Sequence, residues 1–245
     1  MKIAILSDVH ANYGALAAVL AHASAEYSDD IKFLQLGDLV NYGPRPNEVV
    51  DELRRLTAAG RVLVNLAGNH EAALLGRERE RFAHQRGRDA LDTTAAQIRE
   101  DNHVFLREQL SYAPVVFELD GQRVLCVHGS LADLFWGSLR GSETASSAYR
   151  DYALVVCGHT HVPCFHEEFF ADENPRRRNQ RKTMFINPGS VGQPRNHDPR
   201  AQYTVWDVGR DAFSFHKIDY DIAAEQACFA ADADAFYRSR LEQGL

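Results

Sequence analysis

The sequence lacks the long apolar run that a membrane-spanning helix requires, because no stretch approaches the roughly 18 consecutive apolar residues needed. Its first strand-like run, residues 3–6, begins almost at the N-terminus and leaves no room for a signal peptide. We therefore expect a soluble, cytoplasmic protein that does not associate with membranes.

Cysteine is scarce, and the pairs typical of metal or redox motifs are missing. Cys126, Cys157, Cys164 and Cys228 form no C-x-x-C pair. Their wide spacing in a chain of this size argues for reduced thiols and against a disulfide framework. We predict that they serve as small apolar side chains in the core.

Positive charge is also in deficit. The chain has 27 lysines and arginines against 34 aspartates and glutamates, for a formal net charge of -7 at pH 7. This balance gives no global attraction to nucleic acid, and no stripe of interleaved basic and aromatic residues compensates for it. We therefore do not expect a nuclease or a nucleic-acid partner.

The length and patterning of the chain predict one α/β domain. With 245 residues, 45% of them hydrophobic, the chain can bury one large core, and no repeat or linker divides it. We predict a single domain over residues 1–245. Its first third alternates strand-like runs with helical periodicity, as in the crossover units of a parallel sheet. Asn12 precedes the first predicted helix, and Pro46 begins the second.

Later segments predict further elements. Residues 76–112 have a charged helical pattern, which we interpret as a helical insertion beside the site and a candidate lid. The strand-like runs 115–119 and 124–127 flank Asp120-Gly121, a strong hairpin signal. A second hairpin has a polar tip that includes Arg176-Arg177-Arg178. A C-terminal helix is predicted at about residues 223–241.

Five short polar clusters carry the chemistry. They are Asp8-Val9-His10, Gly37-Asp38, Gly68-Asn69-His70-Glu71, His128-Gly129 and Gly158-His159-Thr160-His161. Each follows a strand-like run, so these ligand-type side chains are predicted to converge along one edge of the fold. Any single cluster could be a turn or a helix cap. Together they predict a two-metal hydrolase site.

These motifs, with the further stretch Asn187-Pro188-Gly189-Ser190-Val191-Gly192, resemble the calcineurin-like metallophosphoesterases, in particular their small bacterial and archaeal phosphodiesterase branch. The resemblance implies a four-layer αββα sandwich, in which two mixed β-sheets are flanked by helices. The metal ligands that it implies are Asp8, His10 and His161 for one ion, Asn69, His128 and His159 for the other, and Asp38 as the bridge.

Mixed nitrogen and oxygen donors suit divalent transition metals better than calcium. We expect two such ions, manganese in the first place, with iron, zinc or nickel as alternatives. Ions roughly 3.5 to 4 Å apart would share a bridging hydroxide that attacks phosphorus. His70 resembles the family's general acid, which would protonate the leaving oxygen or stabilise its developing charge. The alternative role for His70 is to orient a neighbouring metal ligand.

The sequence departs from the phosphoprotein phosphatases of this superfamily at two positions. Those proteins grip a phosphate dianion with arginines where this chain has Tyr42 and Ala67. A singly charged diester needs such bidentate donors less than a doubly charged monoester, so a phosphodiesterase is the leading expectation. Arg45 and Arg195 are candidate replacements. Asn12 is a candidate pocket residue, although a helix cap explains it equally well.

Two alternatives stay open. A phosphomonoesterase, meaning a protein phosphatase or a dinucleoside polyphosphate hydrolase, would act on related small phosphate esters at the same centre. A metal-organised binding scaffold without activity would be expected to have lost His70 or a metal ligand, and the sequence retains them all. The sequence makes no prediction about the oligomeric state.

Overall fold

The computed structural model describes residues 1–172, 174, 176 and 181–245. The strands in this part of the chain are β1 (Lys2–Leu6), β2 (Lys32–Gln35), β3 (Val62–Asn65), β4 (Val115–Leu119), β5 (Gln122–Cys126), β6 (Leu154–Val156), β7 (Cys164–Phe170), β8 (Arg181–Asn187), β9 (Ala201–Asp207) and β10 (Ala212–Ile218). The α-helices are α1 (Tyr13–Glu26), α2 (Pro46–Ala58), α3 (Asn69–Leu74), α4 (Gln85–Gln97), α5 (Glu100–Gln109), α6 (Ile222–Ala227) and α7 (Ala235–Gln243).

The strands form two mixed five-stranded sheets. The first has the order β10-β9-β1-β2-β3, with β1, β2 and β3 parallel and β9 antiparallel to β1. The second has the order β4-β5-β6-β8-β7, with β5, β6 and β8 parallel between two antiparallel edge strands. The predicted α/β sandwich of two mixed sheets is confirmed.

Strand β1 shows why its sequence is a continuous apolar run. Side chains alternate between the two faces of a strand, so Ile3 and Ile5 share one face and Ala4 and Leu6 the other. Ile3 and Ile5 pack in the apolar layer between the two sheets. Ala4 and Leu6 pack against helices on the outer face of the first sheet. Because both faces are buried, no polar position interrupts the run.

The outer face of the second sheet is covered mainly by the segment between β5 and β6. This segment contains two short 3₁₀ helices, Gly141–Glu143 and Ser147–Tyr149. Tyr149 is fully buried there against Leu125, Val155 and neighbouring side chains of the sheet. Apolar packing thus covers both faces of each sheet. The carboxyl ends of the parallel strands stay open at one edge of the sheets.

The predicted hairpins are present. Strands β4 and β5 pair antiparallel around Asp120 and Gly121, whose φ angles of 51° and 74° are those of a tight primed turn. Strands β7 and β8 form the second hairpin. Within the polar tip predicted there, Arg177 and Arg178 lie outside the described residues.

The helical insertion is confirmed, since α4 and α5 lie within residues 76–112. The prediction of one C-terminal helix over residues 223–241 is wrong, because two helices, α6 and α7, occupy this region. Each begins at its own aspartate cap: Asp221 accepts from the Ala224 amide and Asp234 from the Phe236 amide. Among the described residues, no helix combines the length and apolar character needed to cross a membrane.

A buried carboxylate fixes α6 to the start of the fold. Glu225 on α6 is 1% exposed, pairs with the Arg45 guanidinium and accepts from the Gly14 amide at 3.0 Å. The Arg45 guanidinium also lies 4.9 Å from the centre of the Tyr13 ring. Because these groups begin helices α1 and α2, the interaction attaches the C-terminal helices to the first sheet.

The cysteines are free thiols, as predicted. Cys126 and Cys157 are buried, and burial raises the pKa of Cys157 to about 12. Cys228 is exposed, so the prediction of a core position is wrong for this residue. It lies just beyond the short helix α6, whose buried face is set by Glu225.

Candidate functional site

The predicted ligands converge at the carboxyl ends of strands from both sheets. Asp8 and His10 follow β1, Asp38 follows β2, and Asn69 begins α3 after β3. From the second sheet, His128 follows β5, and the pair His159 and His161 follows β6. Parallel strands place these loops at one edge, where they meet across the two sheets.

One group of ligand-type side chains consists of Asp8, His10, Asp38 and His161. One donor atom from each lies within 4.8 Å of the others, and all four residues are buried. His10 Nε2 is 3.1 Å from His161 Nε2, and His161 Nε2 is 3.4 Å from Asp8 Oδ1. Two ring nitrogens that face each other so closely, beside carboxylates, form a pocket suited to a cation.

A second group consists of Asp38, His128 and His159. His128 Nε2 lies 3.3 Å from Asp38 Oδ2 and 3.2 Å from the amide oxygen of Asn69. The same Asn69 oxygen is 3.1 Å from His159 Nδ1. Asp38 therefore belongs to both groups, which is the position of a bridging ligand.

Backbone carbonyls fix the direction of three imidazoles. The Nδ1 atoms of His128 and His161 lie 2.7 Å and 2.6 Å from the carbonyl oxygens of Leu36 and Gln193. His10 Nδ1 is 3.3 Å from the Val40 carbonyl. Each Nδ1–H donates outward, so the lone pair of Nε2 is directed into the cluster. This is the usual way in which proteins orient metal-binding histidines.

The surroundings of the Asp8 carboxylate indicate whether the pocket fits a metal. Its side chain is fully buried, and neither carboxylate oxygen has a hydrogen-bond partner among the described residues. Burial raises the pKa of Asp8 to about 7. A buried carboxylate without donors is costly unless a cation lies beside it, so the pocket fits a divalent ion. The nitrogen and oxygen donors fit a transition metal.

The backbone of the ligand loops is strained. Left-handed φ angles of 55°, 47°, 56°, 65° and 60° occur at Asp8, His10, Asp38, His159 and His161. Non-glycine residues in this region cost free energy, and such residues concentrate at functional sites. The fold thus holds these side chains in conformations that the chain alone would avoid.

Glu71 holds two of these loops together. Its buried carboxylate accepts four backbone N–H groups: Oε1 from Leu39 and Val40, and Oε2 from Asp38 and Gly68, at 2.8 to 3.0 Å. The first three belong to the loop after β2 and the fourth to the loop after β3. Glu71 belongs to the Gly68-Asn69-His70-Glu71 motif, but nothing in its spacing predicts this role.

Gly68 permits the close approach of the two loops. A Cβ atom at this position would lie 2.0 Å from Asp38 Oδ1, which is a severe overlap. The same carboxylate oxygen accepts from the His70 amide at 3.0 Å. The glycine is therefore required for the position of the bridging aspartate.

His70 lies beside the cluster, with Nε2 3.8 Å from Asp38 Oδ2. Its Nδ1 is 2.8 Å from the Asn41 amide nitrogen, whose orientation is set because Asn41 Oδ1 accepts from the Tyr42 amide. Nδ1 therefore accepts, and Nε2 carries the proton that faces the site. Burial lowers the pKa of His70 to about 4. No sequence pattern predicted Asn41 as the partner of this histidine.

The three predicted substrate residues lie in different environments. Asn12 is fully buried, caps α1 through the Ala15 amide, and donates to the Gly192 carbonyl and the Tyr220 hydroxyl. Arg45 is held by Glu225. Arg195 is exposed, and its amide donates to the His161 carbonyl at 3.4 Å, so the structure brings only this one of the three to the open side of the site.

A cleft of about 830 Å³ opens beside the cluster. Its lining includes Arg195, which was predicted as a substrate residue. It also includes Tyr42, Phe82, Trp136 and Arg240, which were not. The Tyr42 ring lies 4.8 Å from the ring of His10 and 4.6 Å from that of His70, measured between centroids. These side chains come from loops and from α7, and no local sequence pattern indicates that they meet.

Two ligand groups that share one aspartate, at the strand ends of a two-sheet sandwich, define the class of metal-dependent hydrolases. Residues 1–211 match the calcineurin-like phosphoesterase superfamily domain, and the chain belongs to this superfamily.

Individual relatives extend the comparison. The crystal structure of a metallophosphoesterase from Sphaerobacter thermophilus is 32% identical, with a TM-score of 0.76, covering 100% of this chain and 99% of that chain. An uncharacterised protein from Methanocaldococcus jannaschii is 29% identical over 231 residues, 90% of this chain and 88% of the relative. A symmetrical bis(5'-nucleosyl)-tetraphosphatase from Paracidovorax citrulli is 34% identical over 134 residues, 54% of this chain and 45% of that protein.

Replacing Glu71 with glutamine should destabilise the protein and weaken its metal binding. The new amide group would face backbone N–H donors that now have an acceptor, so the expected loss is about 2 to 4 kcal/mol of unfolding free energy. Urea denaturation and metal analysis would measure both effects. As a control, Glu108→Gln removes a carboxylate from a surface pair in which Glu108 is 54% exposed, and should change stability by less than about 0.5 kcal/mol. Equal stability of the two variants would contradict the role given to Glu71.

Proposed function

We propose that this protein is a dinuclear metal-dependent phosphodiesterase that acts on a small phosphate ester. The observation that carries the proposal is the position of Asp38, which belongs to both groups of metal-ligand side chains. Membership of the calcineurin-like phosphoesterase superfamily supports the reaction class. Manganese is the metal that we expect first. The mixed nitrogen and oxygen donors also suit iron, zinc or nickel.

The residues divide between two ion positions. Asp8, His10 and His161 would hold one ion, Asn69, His128 and His159 the other, and Asp38 both. When bound, two divalent ions supply an activated water molecule and neutralise charge on the phosphoryl oxygens. The protein's contribution is to fix the donors before substrate arrives. Outward hydrogen bonds to backbone carbonyls hold His10, His128 and His161 for this task.

Charge balance favours an anionic substrate with low charge. Asp8 and Asp38 are the anionic ligands, while the imidazoles and the Asn69 amide are neutral donors. Two carboxylates leave two divalent ions partly uncompensated, so the centre attracts an anion. One phosphodiester charge can be met by this excess without further cationic side chains.

His70 is the proposed hydrogen-bond donor to the leaving oxygen. Its Nδ1 accepts from Asn41, so the ring is neutral and presents an Nε2–H toward the open side of Asp38. This N–H can donate a hydrogen bond to the oxygen that gains negative charge as the ester bond breaks, which stabilises that charge while the proton stays on the ring. Asn41 is then a positioning residue, because it selects the tautomer without touching substrate.

The preference for diesters rests on what surrounds the centre. Tyr42 stands where related phosphatases carry an arginine, and its ring packs against His10, His70 and Tyr237. Ala67, at the second such position, is buried. Arg45 does not compensate, because Glu225 holds its guanidinium. Bidentate arginine contacts to a terminal phosphate dianion are therefore missing at these positions.

Hydrolysis of dinucleoside polyphosphates is the second candidate. It is supported by the 34% identity to the Paracidovorax citrulli bis(5'-nucleosyl)-tetraphosphatase, although the match spans 45% of that protein. The internal phosphates of such a substrate resemble diesters, since each carries about one charge. A diadenosine tetraphosphate assay belongs beside the diester assay for this reason.

The decisive test of the proposed function compares bis(4-nitrophenyl) phosphate with 4-nitrophenyl phosphate, using the manganese-loaded protein. We expect a higher kcat/KM for the diester, because the monoester carries an extra charge that no arginine at these positions binds. The leaving group is the same in both substrates, which isolates the charge of the phosphoryl group. A clear preference for the monoester would refute the diester assignment.

Metal content provides an independent prediction. Wild-type protein loaded with manganese and passed through a desalting column should retain about two ions per chain. Asp38→Asn should lower occupancy of both positions, whereas Asn69→Asp keeps an oxygen donor and should be the milder change. A fully active protein with one ion or none would contradict the dinuclear proposal.

His70→Ala should retain its metals yet lose roughly two to four orders of magnitude in kcat on a substrate with a poor alkoxide leaving group. The loss should shrink with 4-nitrophenolate, which is a stable anion and needs little stabilisation by a hydrogen bond. Measuring both substrates with matched metal content separates the two cases. An equal loss on both would assign His70 to orienting the metal ligands instead.

A further inference from the structure

The cleft beside the metal cluster is built from distant parts of the chain. Phe82 comes from the helical insertion, Trp136 from the loop after His128, and Arg240 from helix α7. The superfamily match covers residues 1–211, so α7 lies outside the matched residues. Of this wall, the side that α7 supplies is therefore outside the part of the chain that defines the superfamily, while Phe82 and Trp136 lie within it.

Four arginines line the cleft, and two of them are neutralised by carboxylates. Arg81 pairs with Asp133 and Glu78 at 2.5 Å and 3.1 Å. Arg86 pairs with Asp234 at 2.6 Å. These two guanidiniums are occupied by the protein itself.

The other two, Arg195 and Arg240, form no ion pair with an aspartate or glutamate among the residues that the structure describes. Arg240 Nε donates to the backbone oxygen of Leu245, which leaves its Nη groups available. Burial and then the charge of Arg195 lower the pKa of Arg240 to about 10, so it stays protonated at neutral pH. Two guanidiniums that line one cleft without an aspartate or glutamate partner favour an anionic ligand between them.

This pair of arginines lies close to the metal cluster. The Arg195 amide donates to the carbonyl of His161 at 3.4 Å. Arg195 lines the same cleft as Tyr42, whose ring centroid lies 4.8 Å from that of His10, so the cleft opens directly beside the ligand group. The whole chain has a formal net charge of -7, so this positive patch is local.

Aromatic rings form the rest of the wall. Trp136 is partly exposed, its ring lies edge-on to Phe82 with centroids 5.0 Å apart, and it is 6.0 Å from His159. Phe236 on α7 is 39% exposed. Such surfaces stack on planar ring systems whatever their hydrogen-bond pattern. A cleft of about 830 Å³ is large enough for a nucleotide.

We propose that this cleft is a nucleotide subsite, in which Arg195 and Arg240 bind a second phosphate of the substrate while its base lies against the aromatic wall that includes Trp136. The proposal rests on the proposed function, because it assigns the substrate class of the same metal centre. The scissile phosphate is then a diester next to the metals, and the additional phosphate is recognised by the arginines.

Three chromogenic diesters with one leaving group test this subsite. They are methyl 4-nitrophenyl phosphate, thymidine 5'-(4-nitrophenyl phosphate), and the latter with a further phosphate on the 3'-oxygen. We expect kcat/KM to rise along this series, with the added phosphate contributing about tenfold, as a charge-assisted contact of ordinary strength would.

Arg195→Gln and Arg240→Gln should each remove most of the gain from the 3'-phosphate, measured within each variant as the ratio of kcat/KM between the third ester and the second. The matched control is Arg210→Gln, which removes an 84% exposed guanidinium from the β9–β10 turn, at the end of the first sheet opposite the metal cluster. This control should retain the full gain. A gain that survives both cleft variants would overturn the subsite.

A binding measurement separates the subsite from catalysis. Thymidine 3',5'-bisphosphate should bind the manganese-loaded protein in calorimetry, more weakly in Arg195→Gln by about tenfold. Binding should quench tryptophan fluorescence, and the quench should vanish in Trp136→Phe because the other tryptophan, Trp206, is fully buried. Binding without hydrolysis of any ester would refute the proposed function and retain the subsite. Hydrolysis of all three esters at equal rates, with no bisphosphate binding, would refute the subsite and retain the function.

Discussion

The carboxylate of Glu71 is the contact on which the geometry of the site depends. Asp38 can be shared between two ligand groups only if the loops after β2 and β3 are held at a fixed separation. Glu71 sets this separation, because its two oxygens accept N–H groups from both loops, including the amide of Asp38 itself. Gly68 then allows the aspartate to approach the second loop without overlap. A single buried anion thereby organises a cation site that it does not line.

The rest of the fold supplies the rigidity that strained ligand loops require. Strands buried on both faces, such as β1, provide a scaffold with little freedom to relax. The loops at their carboxyl ends can therefore hold Asp8, His10 and Asp38 at positive φ. Preorganisation of this kind is stored in the folded state and does not have to be created when a ligand binds.

Much of this architecture could be predicted from the sequence. Short-range patterns predicted the strands before each ligand, the hairpin at Asp120 and the convergence of the polar clusters, because alternation and turn chemistry act locally. The division of the C-terminal helix was missed because its aspartate caps are weak signals within a helical pattern. Asn41 and Arg240 were missed for another reason. Asn41 meets His70, and Arg240 lines the same cleft as Arg195, only in the folded protein, and no spacing along the chain encodes either arrangement.

The pair of Glu225 and Arg45 anchors the C-terminal helices independently of the metal ligands. It attaches them to the starts of α1 and α2. On α7, Tyr237 packs against Tyr42 beside His10 and His70, so this residue is tied to the ligand group. The other side chains of α7 that face the cleft are free to vary in sequence while the anchor and the ligand group keep their positions, which makes this helix the most adaptable wall of the cleft.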